Sequence, residues 1–290
     1  MTTELFGFIG LGSMGQPMAR NTCENGHALL VHDIAGTADR APKGAEIAQS
    51  NDEIARRAGV IALSLPTVKA NRAVIEEIAQ AGHAGTVVVD SCTIGPQAAI
   101  DNARILRAVG IGYIDSPISG MKFRAEEGTL TSMAAGSDED FARARILIDG
   151  YSQTIHHVGR EAGQGQRMKL INNSLYISSL VSVSEALAYG ESGGLEIDHI
   201  LEVINTCSAQ SFVTSEVFPR CMTPNSPAPS GIEAHIIGKD LRLFVEDSKA
   251  MNTPSATISK AYETIAAFVD EDALQDQENL YAFVRDASNS

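Results

Sequence analysis

The sequence predicts an α/β fold: an N-terminal Rossmann-type domain with a mostly parallel sheet, joined by one long helix to an all-α C-terminal domain. Three observations carry that expectation. Short apolar runs alternate with helical segments through the first half, and parallel strands require such crossover connections. The first run ends in a glycine-rich turn that opens a helix. After Gly159 the strand pattern stops and apolar residues recur at helical spacing.

Taken in order, Leu5–Gly10 reads as a buried strand and Met14–Asn25 as a helix ended by Gly26. Ala28–Val31 forms the next strand. Val60–Leu65 is another, stopped by Pro66, and Lys69–Ala81 is helical. Thr86–Val89 and Gly112–Ile114 are strands flanking the helix Gln97–Val109. Thr129–Ala135 and Thr154–Val158 complete the set around a helix at Asp138–Ile148. From Gly165 to Glu191 no proline intervenes, and Met168, Ile171, Leu175, Leu180, Val183 and Leu187 keep helical spacing. One long helix fits. Further helices are expected near Ile197–Thr206, Ile232–Met251 and Ser255–Val269, with a Pro/Ser-rich loop at Thr223–Gly231. The domain boundary falls at residues 162 and 163, giving domains 1–162 and 163–290.

Composition narrows the function. The 290 residues carry 22 Lys+Arg against 36 Asp+Glu, a formal charge of −14. An acidic surface disfavours nucleic acid or an anionic membrane as partner. Cys23, Cys92, Cys207 and Cys221 are scattered, with no zinc-like spacing. The N-terminus lacks the pattern of a signal peptide, and no apolar stretch in the helical half is long enough for a membrane span. The expectation is a soluble, cytoplasmic protein.

The glycine turn is Gly10-Leu11-Gly12-Ser13-Met14-Gly15. Gly10 permits the tight turn, Gly12 lets backbone approach a pyrophosphate, and Gly15 lets helix pack on strand. The pyrophosphate would rest on the helix N-terminus, where free N–H groups and the dipole favour anions. Asp33 closes the second strand, 18 residues after Gly15. A carboxylate there accepts from ribose hydroxyls and repels a 2′-phosphate, which favours NAD over NADP. Arg40 stands nearby as the residue suited to a 2′-phosphate. Leu65 and Pro66, ending their strand, and Thr93 are further candidate cofactor contacts.

The residues Phe8 to Ala19 (FIGLGSMGQPMA) resemble the N-terminal signature of the β-hydroxyacid dehydrogenase family. Asp90-Ser91-Cys92-Thr93-Ile94 is similar to its substrate loop. Asp115-Ser116-Pro117-Ile118-Ser119-Gly120, running on to Gly128-Thr129-Leu130, is similar to its second substrate motif. Gly163–Asn173 (GQGQRMKLINN) resembles the catalytic segment, and Lys239-Asp240-Leu241 the late KDL motif. The resemblance spans roughly residues 5–250. It implies a long helix that bridges two domains and often supports a homodimer or homotetramer. It also implies a small anionic hydroxy acid or aldehyde as substrate. The family usually has glycine where this chain carries Met121 and Arg124, so the loop there is expected to be bulkier and more basic.

In that reading Lys169 is the acid/base: it takes the hydroxyl proton in oxidation and donates to the developing alkoxide in reduction. Asn173 follows four residues later, on the same helical face, placed to orient the lysine or bond the substrate oxygen. Ser119 and the amide of Gly120 bind the substrate carboxylate, as the resemblance implies. Lys239 closes the pocket from the helical domain, and Met121 lines it. Arg124 is suited to engage a second anionic group bidentately.

Other chemistries lack their residues. No Tyr is followed four residues later by Lys, and no HExxH supplies metal ligands. An imine reductase shares the architecture but commonly replaces the lysine. A 6-phosphogluconate dehydrogenase needs a larger C-terminal domain. A non-catalytic nucleotide-binding member of the same fold is the remaining alternative.

Overall fold

The computed structural model describes residues 4–223 and 230–287. The chain separates into two compact units, residues 1–169 and 170–290.

The first unit is built on β1 (Phe6–Ile9), α1 (Gly15–Glu24), β2 (Leu29–His32), β3 (Glu46–Ile47), α2 (Asn51–Arg57), β4 (Val60–Leu63), α3 (Val68–Ala81) and β5 (Val87–Asp90). It continues through α4 (Pro96–Arg107), β6 (Gly112–Asp115), β7 (Ile118–Ser119), α5 (Met121–Glu127), β8 (Leu130–Ala135), α6 (Asp138–Asp149) and β9 (Ser152–Gly159). The strands form one sheet in the order β3-β2-β1-β4-β5-β6-β8-β7, with β9 pairing β8. All pairs from β3 to β6 are parallel, while β8 runs antiparallel to β6 and β7.

The alternation of side chains across a strand explains the apolar runs. Phe6, Phe8, Leu29, Val31, Val60, Ala62, Val87 and Val89 bury into one core layer. Their neighbours Ile9, Leu30, Ile61, Leu63 and Val88 bury into a second layer on the opposite face. A strand covered on both faces needs apolar residues at every position, so it reads as a continuous run. Helices cap the sheet through local signals: Ser50, Thr67 and Ser137 each accept an amide of the first turn of α2, α3 and α6.

The long helix α7 runs Gln164–Ser192. In the second unit Ile177, Leu180, Val181 and Leu187 pack with Leu201 of α8 (Ile197–Ile204), Ile237 and Leu241 of α9 (Ala234–Ala250), and Ile265 and Phe268 of α10 (Ala256–Glu271). A π-helical segment, Val213–Met222, adds Val217 and Phe218, and α11 (Leu280–Ala287) adds Leu280 and Tyr281. Among the described residues no helix is long and apolar enough to cross a membrane.

The structure departs from the expectations at several elements. The strand β3 and helix α2 lie where no element was expected. The segment after Gly120, read as a loop, is the helix α5, framed by Gly120 at φ +143° and by a left-handed Gly128 at its end. The π-helical segment and α11 were likewise unexpected. In the Pro/Ser-rich stretch 223–231, residues 224–229 lie outside the described residues.

Candidate active site

The strand order reverses at β1, with β2 on one side and β4 on the other. In an open parallel sheet the crevice beyond such strand ends is where ligands bind. The turn that leaves β1 needs its glycines. Gly10 sits at φ +92°, and a Cβ there would run into the Ser64 carbonyl beyond β4. A Cβ on Gly15 would strike the Gly10 carbonyl, whereas Gly12 faces open space. Packing thus demands two of the three glycines, and the third leaves backbone bare for a ligand. That pattern fits the diphosphate of a dinucleotide.

Asp33, just past β2, meets the same turn. Its carboxylate accepts from the amide of Leu11 at 2.7 Å and from that of Ala35 at 2.7 Å, and pairs with Arg40 at 3.3 Å. Partial burial works to raise its pKa, but these three donors hold the carboxyl below its ordinary value. Leu65 and Pro66 follow β4, the strand beside β1. The Leu65 amide donates to Cys92 Sγ beyond β5.

A cavity of about 310 Å³ opens on Leu11, Gly12 and Ser13, and Arg20, Arg40 and Lys122 also line it. Lys122 belongs to α5, held against α1 by Arg20 donating to the Glu126 carbonyl and Asn21 donating to that of Ala125. The sequence offered no signal for Lys122 here, because the approach of α5 to α1 is tertiary.

The motifs at residues 90–94 and 115–120 and the start of α7 assemble at the ends of β5 and β6. Asp115 ends β6, fully buried, and accepts the amides of Gly163 at 3.0 Å and Gln166 at 2.8 Å. Gln166 is itself buried: its side-chain oxygen accepts from the amides of Ile94 and Gly95, and its amide nitrogen donates to the Cys92 carbonyl. Thr93 lies inside this bracketed loop. Lys169, one turn further, is only 9% exposed, and its ammonium donates to the Ile118 carbonyl at 2.7 Å. The next residues are Ser119 and Gly120. So the first unit alone brings Lys169 beside the Ser119-Gly120 motif, and it does so on rigid elements.

Met121 follows at φ +62°, a left-handed conformation uncommon for a side chain other than glycine. Arg124 is half-buried on α5, its stem against Gly120. In the second unit, Asn173 of α7 donates to Asp240 at 2.6 Å, and Lys239 pairs with Asp240 at 3.2 Å. The structure therefore joins Asn173 and Lys239 through Asp240, a buried carboxylate. Asp240 stood inside the KDL motif without an assigned role, as Gln166 and Asp115 stood in theirs.

Two family profiles together span most of the chain. One, described as the NAD binding domain of 6-phosphogluconate dehydrogenase, matches residues 5–159. The other, described as NAD-binding of NADP-dependent 3-hydroxyisobutyrate dehydrogenase, matches residues 163–284. A Dictyostelium discoideum protein named as a probable mitochondrial 3-hydroxyisobutyrate dehydrogenase is 34% identical over 98% of this chain and 91% of its own. The chain belongs to the β-hydroxyacid dehydrogenase family. The 2-(hydroxymethyl)glutarate dehydrogenase of Eubacterium barkeri is 32% identical over 86% of this chain and 83% of its own. The solved Mycobacterium tuberculosis 3-hydroxyisobutyrate dehydrogenase with L-serine matches with a TM-score of 0.87 at 26% identity, covering 98% of this chain and 100% of that one. Membership in the β-hydroxyacid dehydrogenase family makes the chain a dehydrogenase with a dinucleotide-binding domain.

Burial pushes the Asp115 carboxyl up to about 7 against the pull of its two amide donors, and the neighbouring Asp90 adds to the rise. An unfolded carboxyl titrates near 3.8. Between those values the native state holds a proton that the unfolded chain has released, so this group's contribution to stability falls as pH rises. Melting temperatures of the wild type and Asp115→Asn, compared from pH 5 to 8, should show the wild type losing ground to the variant as pH increases. A difference independent of pH would contradict a native carboxyl titrating near neutrality.

Proposed function

We propose that this protein is a cytoplasmic NAD-linked dehydrogenase that interconverts a small β-hydroxy acid and its semialdehyde, with Lys169 as general acid/base. One observation carries the reading: a buried ammonium, anchored on the Ile118 carbonyl, stands beside the Ser119-Gly120 turn in a chain of this family. The Gly10–Gly15 turn would hold the cofactor diphosphate, Asp33 the adenosine ribose, and Leu65, Pro66 and Thr93 the remainder. Bound NAD supplies the hydride acceptor. The protein's own groups do the rest: Ser119 and the Gly120 amide grip the substrate carboxylate, and Lys169, as the neutral amine, takes the hydroxyl proton at Nζ to become the ammonium. Met121 shapes the pocket.

Exposed apolar residues along α7, at Met168, Ile171 and Leu175, support assembly as a homodimer or homotetramer. Arg124 favours a substrate with a second anionic group. The E. barkeri relative is named for a dicarboxylic acid, which agrees with that choice.

The decisive assay follows NADH absorbance with 3-hydroxyisobutyrate, glycerate, 3-hydroxypropionate and 2-(hydroxymethyl)glutarate. Lys169→Met should lower kcat by about 10²–10⁴-fold with NADH affinity retained; undiminished kcat removes Lys169 from the mechanism. Asp33→Ser frees Arg40 and should cost about 10-fold or more in kcat/KM for NAD, the loss of a charge-assisted pair, while improving NADP. Unchanged cofactor preference refutes the ribose assignment. Arg124→Ala should raise KM for the dicarboxylate by about 10-fold and leave monocarboxylates nearly untouched, so equal losses on both would remove the second anionic group.

A further inference from the structure

We infer that Gln166 is a positioning residue: its carboxamide brackets the 92–95 loop to the first turn of α7 and so holds Lys169 in register with the strand ends. The inference rests on the role proposed above for Lys169 and concerns what keeps that ammonium in place.

Both polar atoms of the Gln166 side chain are paired, and the residue is fully enclosed. Gln166 has no solvent exposure, and its side chain makes three hydrogen bonds, at 3.0 Å to the Ile94 amide, 3.1 Å to the Gly95 amide and 3.0 Å to the Cys92 carbonyl. An amide is the side chain that supplies both the double acceptor and the donor this loop requires; a carboxylate lacks the donor and an ammonium the acceptor. The main-chain amide of the same residue donates to Asp115. One residue therefore ties α7 to the end of β5 and to the end of β6.

Lys169 follows three positions later, the spacing that places two residues on one side of a helix. Its ammonium returns to Ile118, three residues beyond Asp115. A closed loop of contacts results, running from Asp115 to Gln166, along one helical turn to Lys169, and back to Ile118. Removing the bracket leaves the lysine's own hydrogen bond intact while releasing the backbone that carries it. Reacting groups misplaced by about 1 Å lose about 100-fold in rate, so a loosened first turn registers in catalysis before it registers in cofactor binding.

The test compares wild type with Gln166→Met, which keeps the length and loses all three bonds, and with Asp115→Asn, which spoils the second tie. Two readouts are needed. With 3-hydroxyisobutyrate and NAD, kcat should fall at least tenfold in both variants, KM for NAD should stay within twofold, and the isotope effect from the carbon-deuterated substrate should increase. With trinitrobenzenesulfonate, peptide mass spectrometry should show Lys169 labelled at least fivefold faster than in the wild type. A folded Gln166→Met protein whose kcat stays within threefold, or whose Lys169 labelling stays within twofold, overturns the inference, since a purely structural glutamine lowers only the melting temperature. A wild type that turns over no hydroxy acid counts against the proposed function instead, and the labelling rates then decide this inference by themselves.

Discussion

A helix begins with amides that its own backbone cannot satisfy, and α7 begins directly after Gly163, which has no side chain of its own to cap them. The buried carboxylate of Asp115 supplies the cap from 48 residues away, taking the amides of Gly163 and Gln166 together. Everything placed by the first turn of α7 depends on that pairing. Lys169, the bracketed 92–95 loop and the Ser119 motif are all referred to one strand end. Capping by a neighbouring serine would have satisfied the amides equally well, but it would have left the helix free to shift along the sheet.

Burying the cap has a chemical consequence. A carboxylate on an exposed turn stays ionised at neutral pH, whereas Asp115 is enclosed and lies beside Asp90 across β5 and β6. Asp90 is equally buried, yet Asn71, Tyr113 and the Cys92 amide all donate to it. These two strand ends thus hold two carboxyls whose charge is disfavoured by burial and supported by donors. This arrangement orders the floor of the site with hydrogen bonds rather than with apolar packing, and it fixes distances that packing alone leaves looser.

The doubly wound sheet was legible because burial on both faces makes each central strand a run of apolar residues, as in Phe6–Ile9 and Val87–Asp90. The glycine turn was legible for a different reason: a tight turn and close helix packing restrict residue type at fixed spacing. Where neither constraint acts, the pattern disappears. The strand β3 is two exposed residues, Glu46 and Ile47. The π-helical segment carries Pro219 inside it, a residue that argues against any helix. The helix α5 covers seven residues, too few for a period to emerge, and it starts from a methionine in a conformation that glycine usually takes.

Within the site the division runs along the same line. Lys169, Asn173 and Ser119 stood out because each sits in a stretch that resembles a known family. The partners that hold them are set by tertiary contact, and no local spacing announces them: Ile118 offers a backbone oxygen, Asp240 meets Asn173 across 67 residues, and Gln166 reaches back 72 residues to Ile94. Met121 shows how such a departure can be absorbed. A side chain at φ +62° costs on the order of 1 kcal/mol or more, and the glycine before it, Gly120 at φ +143°, has the Arg124 stem packed against it. Glycine at that position would relieve the strain and also free the turn, so the methionine exchanges local stability for a turn with fewer conformations. The strain and the bracket at Gln166 then serve one end: both restrict the backbone on either side of the Lys169 ammonium.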